Sequence, residues 1–305
     1  MEEAIKHYLN QSVLEKSRLE NGWKESWLIT LQNRRKVVFR ACTDYAELFE
    51  REKFFYDTVN RNIGKICPEV YIVDGSCRYY HKSFQISEYI EGKTLRRCLQ
   101  EEFDISQKQA VYYELGQLTA RINQIEADPD KMYSMGRAPW APYYSNQLMR
   151  PHLQAITANG LIRAEEVDRL CEKMQSYPVR NTNRLLHRDI RPDNLIFRNG
   201  RIFVIDAETC EIGDPLNELA RIRLEWHYWE YYDLLLKGYQ SVSHIDPDGA
   251  LLDFYQLEAL GEVLDMHYNY GCGNSATPFF RDCFLEIKEK VLRCLLYTSP
   301  SPRDA

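Results

Sequence analysis

The 305-residue chain is 44% hydrophobic and 28% charged with a net charge of −6, enough for one large domain or two lobes, each with a core. The acidic balance and the lack of a polybasic run speak against nucleic acid and membrane surfaces as partners, and leave oligomeric state open. Nine cysteines without a CxxC pair exclude a disulfide framework or zinc site. Acids in place of a basic leader, and no apolar run approaching about 18 residues, lead to the expectation of a reducing cytoplasm.

Ile5, Tyr8, Leu9 and Val13 fall at helical spacing within residues 2 to 18 and predict a short amphipathic helix. Residues 17–31 and 34–41 read as strand-like runs around a turn at Gln32 and Asn33, with Gly22 to Ser26 as the loop joining the first strand to the second. Val37-Val38-Phe39 ends in Arg40, either a ligand for an anion or an exposed strand end. Tyr45 to Val59 predicts a helix with Leu48, Phe55 and Val59 facing a core, carrying the acids Glu47, Glu50 and Glu52. Val70 to Val73 and Ser83 to Ser87 read as further strands on either side of Asp74-Gly75. Residues Glu88 to Gly92, with Ile90 at their centre, then connect into a helix near Thr94, a natural lobe boundary.

A helix capped at Ser106 should bury Val111, Leu115, Leu118, Ile122 and Ile125. Asp128 to Pro142, with its prolines and with Tyr133 and Trp140, reads either as a loop over a substrate or as a packed surface loop. Helices are expected near 145–158, 163–176, 215–236, 250–268 and 277–293. Cys294 to Asp304, CLLYTSPSPRD, resembles the translation of a sequencing-library adaptor, so residues 294–305 are expected to be a non-native tail.

The chain is organised around LLHRDIRPDNLIF at 185–197 and IFVID at 202–206. An apolar lead-in, a polar loop, an apolar run, an Asn199-Gly200 turn and a second run predict a strand, a loop and a hairpin that set the loop beside Asp206. His187, Asp189 and Asn194 match the H-R-D-x-x-x-x-N pattern, in which the Asp accepts a hydroxyl proton and the Asn holds Mg²⁺, while a second Asp on a following strand also binds metal. Such chemistry needs these residue types because Mg²⁺ takes oxygen ligands and few carboxylates besides phosphates.

HRDIRPDN at 187–194 and VIDAETCEIGDPLNELA at 204–220 resemble the aminoglycoside phosphotransferase and choline kinase superfamily. The absence of Phe-Gly after Asp206 favours it over ordinary protein kinases. The resemblance implies an α+β, two-lobed protein-kinase-like fold. A small N-terminal antiparallel sheet lobe with a helix (1–90) would bind ATP or GTP, and a larger, mainly helical lobe (91–293) would hold the catalytic and acceptor sites. It further implies Asp189 as catalytic base, Asn194 and Asp206 as Mg²⁺ ligands, His187 as support of the loop, and Arg40 with Glu52 at the nucleotide phosphates. Gly22 and Ser26 would cover the phosphates, and Glu88 and Ile90 would receive the base.

Asp206 to Asp233 contains eight acids and several aromatic residues, so Glu208, Glu211, Trp226 and Trp229 become candidates for contact with a cationic acceptor. The same pattern also describes a helix with aromatics in the core and acids in water. The implied activity is transfer of a γ-phosphate to a small-molecule hydroxyl, on an antibiotic of the aminoglycoside type or on choline, ethanolamine, another amino alcohol or a sugar. A catalytically weak nucleotide-binding module is the reading from another class, prompted by Arg40.

Overall fold

The computed structural model describes residues 1–19, 24–43, 46–133, 137–177, 179, 182–226, 230–246 and 250–297. The chain opens with helix α1 (Glu2–Leu9), and Asn10 in the left-handed conformation (φ 51°) stops it. Asn tolerates this geometry as few residues do. Val13, expected on the helix, therefore begins strand β1 (Val13–Leu19). Strands β2 (Glu25–Leu31) and β3 (Lys36–Cys42), helix α2 (Ala46–Asn62) and strands β4 (Val70–Asp74) and β5 (Ser83–Glu88) follow. The strands form one antiparallel sheet in the order β1-β2-β3-β5-β4.

Alternation along the strands divides the sheet into two faces. Ile29, Leu31, Val37, Phe39, Ala41, Phe84 and Ile86 share a buried cluster with Ala4 and Ile5 of α1. Arg40, Ser26 and Gln85 point to the opposite face, because Arg40 is registered against Ser26 on one side and Gln85 on the other. Helix α2 buries Phe49, Glu52, Phe55, Tyr56 and Val59, and Gln85 Nε2 donates to its Phe49 carbonyl at 3.5 Å. Ser26 is thus a strand residue and not part of the loop expected over a ligand.

Next come β6 (Lys93–Thr94), α3 (Leu95–Arg97), a π-helical turn (Cys98–Glu102) and α4 (Ile105–Asn123). The cap of α4 is Asp104, not Ser106: Asp104 Oδ1 accepts from the Gln107 N–H at 2.8 Å, and Gln107 Oε1 accepts from the Asp104 N–H at 3.0 Å. The Ser106 hydroxyl donates to Asp104 instead, at 2.8 Å. Short helices α5 (Pro129–Met132) and α6 (Trp140–Tyr143), a π-helical turn (Tyr144–Met149), α7 (Arg150–Ala155) and α8 (Ala164–Ser176) lead to β7 (Arg184–Leu186). The hairpin is β8 (Leu195–Arg198) and β9 (Arg201–Val204), joined through Asn199 (φ 51°) and Gly200 (φ 74°). It extends through β6 into a three-stranded sheet. Strand β10 (Glu211–Gly213) pairs with β7, and helices α9 (Pro215–Trp226), α10 (Tyr232–Gln240), α11 (Ala250–Asn269) and α12 (Thr277–Tyr297) complete the order. The expected helix over 215–236 is therefore two helices.

Two compact units emerge, each from several chain segments. The first comprises Met1–Ile125, His187–Glu211 and Asp233–Val242, and the second comprises Glu126–Leu186, Ile212–Tyr232 and the chain from Ser243. In the first, α4 and α10 meet backbone to backbone. A Cβ on Gly116 would lie 1.9 Å from the Leu235 carbonyl oxygen, and one on Gly238 would lie 2.1 Å from that of Tyr113. Two hydrogen bonds add to this contact, Tyr239 Oη to Asn123 Oδ1 at 3.0 Å and Gln124 Nε2 to the Val242 carbonyl at 2.8 Å.

The second unit is centred on large side chains with polar tips. Trp140 Nε1 donates to Tyr255 Oη at 2.8 Å, and Tyr255 in turn donates to Asp214 Oδ2 at 3.0 Å. Asp214 also caps α9, its Oδ1 accepting from the Leu216 N–H at 3.0 Å. Glu258 gathers His152 Nδ1 (2.9 Å), Arg221 Nη2 (3.0 Å) and Tyr144 Oη (3.1 Å). Trp226 is fully buried, which removes its ring from any surface a ligand could reach. Trp229 lies outside the described residues, as do positions 298–305 of the expected tail. No helix among the described residues is long and apolar enough to cross a membrane.

Two outcomes follow from this packing. Gly116→Ala and Gly238→Ala each force apart main chains that no rotamer change can relieve, so each should lose at least ~1–3 kcal/mol of stability in urea unfolding. Burial pushes the Asp214 carboxyl up from its ordinary 3.8 to about 6, against the hydrogen bonds from Leu216 and Tyr255. A raised folded-state value means that stability present below the unfolded pKa is lost as pH rises through the folded one. Asp214→Asn cannot titrate, so its stability relative to the parent should improve by on the order of 2–3 kcal/mol between about pH 4 and pH 7.5. Denaturation curves at the two pH values measure this.

Candidate active site

The polar loop 187–194 lies between β7 and β8 and is held from several sides within the first unit. His187 Nδ1 accepts from the Asp189 N–H at 3.2 Å, and Nε2 lies 3.0 Å from the Ile205 carbonyl. This pattern calls for the Nε2–H tautomer. Phe55 of α2 meets the imidazole edge-on at 5.2 Å, and Thr209 Oγ1 donates to the His187 carbonyl at 3.2 Å. At the other end of the loop, Arg96 of α3 grips Asp193 through Nε, at 2.7 and 2.9 Å from its two oxygens.

Within this frame Asn194 Nδ2 donates to Asp189 Oδ2 at 2.6 Å and to the Asp189 carbonyl at 3.0 Å. Arg191 Nε lies 3.3 Å from the same carboxylate oxygen. The Ile205 N–H donates to the Asn194 carbonyl at 3.0 Å, which sets Asp206 beside the loop. Asp206 (φ 59°) and Arg188 (φ 65°) both have left-handed backbones. Asp enters that region more readily than most residues and Arg seldom does, and such backbone strain concentrates at functional sites.

Asp206 is the meeting point of the charges. Its Oδ1 accepts from Arg40 Nη1 at 3.0 Å and lies 3.5 Å from Lys24 Nζ. Its backbone N–H donates to Tyr56 Oη at 2.7 Å. Burial pushes the Asp206 carboxyl up, but Arg40 and Lys24, helped by His187 and Arg191, outweigh it and hold the group below the usual carboxylate range. Arg40 Nη2 donates to Gln85 Oε1 at 2.7 Å and is paired with the fully buried Glu52. Glu52 Oε1 also accepts from Tyr56 Oη at 2.7 Å and from the Ala207 N–H at 3.1 Å.

The expected residues distribute as follows. Asp189, Asn194, His187 and Asp206 come together at the loop, and Arg40 with Glu52 joins them at Asp206. Glu88 ends β5 with its carboxylate on Lys65 Nζ at 3.0 Å and the Glu69 N–H at 3.2 Å. Ile90 packs with Ile196, Phe203 and Ile205 in a small apolar cluster. Glu208 pairs with Lys24. Glu211 is buried, 2.6 Å from Arg51 Nη2, so its carboxylate serves an internal ion pair and does not face an acceptor. Gly22 lies outside the described residues.

Three participants escape a reading of motifs: Lys24, Tyr56 and Gln85. Tyr56 follows Glu52 by one helical turn, a spacing that could have flagged it. Gln85 is visible only through the register of β3 and β5. Lys24 is buried, and burial together with the nearby Arg40 pulls its amine down to about 8 despite Asp206. The donor set suits a hard divalent cation: Asp206 and Asn194 offer oxygen ligands on neighbouring stretches of backbone.

The chain matches the model of the phosphotransferase enzyme family over residues 17–250. No curated protein sequence matches it. Among solved structures it is similar to a candidate fructosamine-3-kinase from Haemophilus somnus 129PT, with 17% identity, a TM-score of 0.71, and coverage of 95% of this chain and 96% of that one. It is also similar to a thermostable mutant of the aminoglycoside phosphotransferase APH(4)-Ia, with 18% identity, a TM-score of 0.66 and coverage of 96% and 99%. A third similar structure is APH(2'')-IIa in its ternary complex with streptomycin and ATP, with 20% identity, a TM-score of 0.62 and coverage of 97% and 95%. These likenesses share the antiparallel N-terminal sheet and the helical C-terminal region. By the span of the family match, the chain belongs to the phosphotransferase enzyme family and is a small-molecule kinase.

Proposed function

We propose that this kinase moves the γ-phosphate of ATP or GTP to a hydroxyl of a small, amine-bearing or sugar-like acceptor in the cytoplasm. The observation that carries the reading is the convergence of Asp189, Asn194 and Asp206 on one loop-and-hairpin frame, with Asn194 Nδ2 at 2.6 Å from Asp189. Asp189 orients the acceptor hydroxyl and accepts its proton as the oxygen attacks the γ-phosphorus in line; the bond to the bridging oxygen breaks and the nucleoside diphosphate leaves. Asn194 and Asp206 would hold Mg²⁺, which supplies charge neutralisation at the phosphates when bound. Glu88 and Ile90 would receive the base through backbone groups of the 88–90 segment.

The acceptor class draws its support from the similar structures, which include complexes with streptomycin and gentamicin. Glu208 is the one acid of the expected acceptor group that stands beside the catalytic frame, and it does so paired to Lys24. Arg40 has a different place in the mechanism from a mobile phosphate ligand. Its contacts with Glu52, Gln85 and Asp206 make it the element that fixes the orientation of Asp206.

Asp189→Ala and Asp206→Ala should each abolish nucleotide consumption while far-UV circular dichroism stays that of the parent. A screen of aminoglycosides, choline, ethanolamine and sugars provides the assay, and near-normal turnover by folded Asp189→Ala would overturn the assignment. Arg40→Met leaves Glu52 buried without its cation and should cost about 3–5 kcal/mol of stability. The double variant Arg40→Met with Glu52→Gln should recover much of that loss in the same unfolding measurement, because both charges leave together.

A further inference from the structure

Two cations among the described residues, Arg40 and Lys24, reach Asp206. Arg40 on β3 is registered against Ser26 on β2, and Lys24 precedes Ser26 by two residues. Lys24 lies just before β2, and its Nζ stands 3.5 Å from the same Asp206 oxygen that Arg40 Nη1 reaches at 3.0 Å. The two side chains also flank one ring, with Lys24 Nζ and the Arg40 guanidinium each 5.9 Å from the centre of Phe49.

Their attachments differ in kind. Arg40 is tied to three protein groups, Glu52, Gln85 and Asp206. A planar guanidinium held on both sides by α2 and β5 cannot turn toward an incoming group without undoing the Glu52 pair. The Lys24 ammonium pairs with Asp206 and Glu208. Both acids lie in the segment just after the hairpin, where the nucleotide phosphates would arrive. An ammonium is a compact charge on a flexible stem and can exchange one oxygen partner for another over a short distance. Its side chain is 6% exposed, so a phosphate oxygen meeting it there would be little screened by water.

We infer that Lys24, the residue just before β2, supplies the phosphate-contacting ammonium of this site, while Arg40 on β3 serves as the fixed support of Asp206. In the resting protein Lys24 is parked on Asp206 and Glu208. On nucleotide binding it shifts to a phosphate oxygen and leaves Asp206 available to a divalent cation. This assignment rests on the phosphoryl-transfer reading given above and deepens it by dividing between two residues a task for which the sequence offered only Arg40.

Equilibrium binding of MgATP and MgGTP to the full chain separates the possibilities, using the parent, Lys24→Met and Lys24→Arg. We expect Lys24→Met to weaken binding of the preferred nucleotide by about tenfold or more. Lys24→Arg, which keeps the charge, should recover it to within about threefold. Binding by Lys24→Met within about twofold of the parent would overturn the inference and leave the phosphoryl-transfer reading standing. Equal weakening in Lys24→Met and Lys24→Arg would also overturn it, since the role would then be one of shape and not of charge. A parent protein that binds neither nucleotide would defeat the phosphoryl-transfer reading itself, and this inference with it.

Discussion

The ion pair between Arg40 and Glu52 ties β3 to α2 and, through Asp206 and Ala207, ties both to the segment after the hairpin. Two charges withdrawn from water gain little net stability from mutual attraction alone, and they persist where every remaining donor and acceptor is met. That condition holds around Glu52: Tyr56 Oη and the Ala207 N–H satisfy the oxygen that Arg40 does not take. Gln85 does the same for the guanidinium. A network of this sort specifies geometry more than it adds stability, because a small displacement of any member strands a charge in a poorly solvating interior. Asp206 inherits its orientation from that requirement.

The left-handed backbone of Asp206 and the buried position of Tyr56 belong to the same economy of space. The Tyr56 hydroxyl donates to Glu52 while accepting from the Asp206 amide, and burial pushes its phenol well up, so it remains a neutral relay between the two. His187 acts similarly on the other side of the loop, with one ring nitrogen for Asp189 and the other for Ile205. Neutral, directional groups thus hold the backbone beside Asp189 and Asp206, while their carboxylates meet cations: Arg191 of the same loop at Asp189, and Arg40 with Lys24 at Asp206.

Much of this was legible in the sequence because the loop and hairpin are local: His187 to Asp206 span few residues, and an Asn-Gly turn fixes their register. The partnership of Arg40 with Glu52 was accessible through family pattern, since both sit on elements of strong periodicity. Lys24 was not, because it lies just outside β2 and its meaning comes from approaching Asp206 and Glu208, far along the chain, a contact that local spacing does not encode. Val13 leaves the helix that its spacing predicts because one Asn in a left-handed conformation outweighs a helical spacing of apolar residues. The aromatic stripe on α9 proved ambiguous for a plain reason: a helix that fills a core and a helix that lines a site show the same period, and the burial of Trp226 decides for the core at that position.

The discontinuity of the first unit has a consequence for how the molecule comes into being. Its chain segments Met1–Ile125, His187–Glu211 and Asp233–Val242 are separated by stretches that belong to the other unit. During synthesis the five-stranded sheet can pair early, but Arg40 and Glu52 must wait for Asp206 and Ala207. The glycine face of α4 must wait longer still, until α10 has emerged to cover it. Long-range closures of this kind are slow to form and leave surface exposed meanwhile. The contacts around Asp206 therefore form only after the sheet, and a ribosome that stops before Val242 releases a chain whose first unit lacks the strip that closes it.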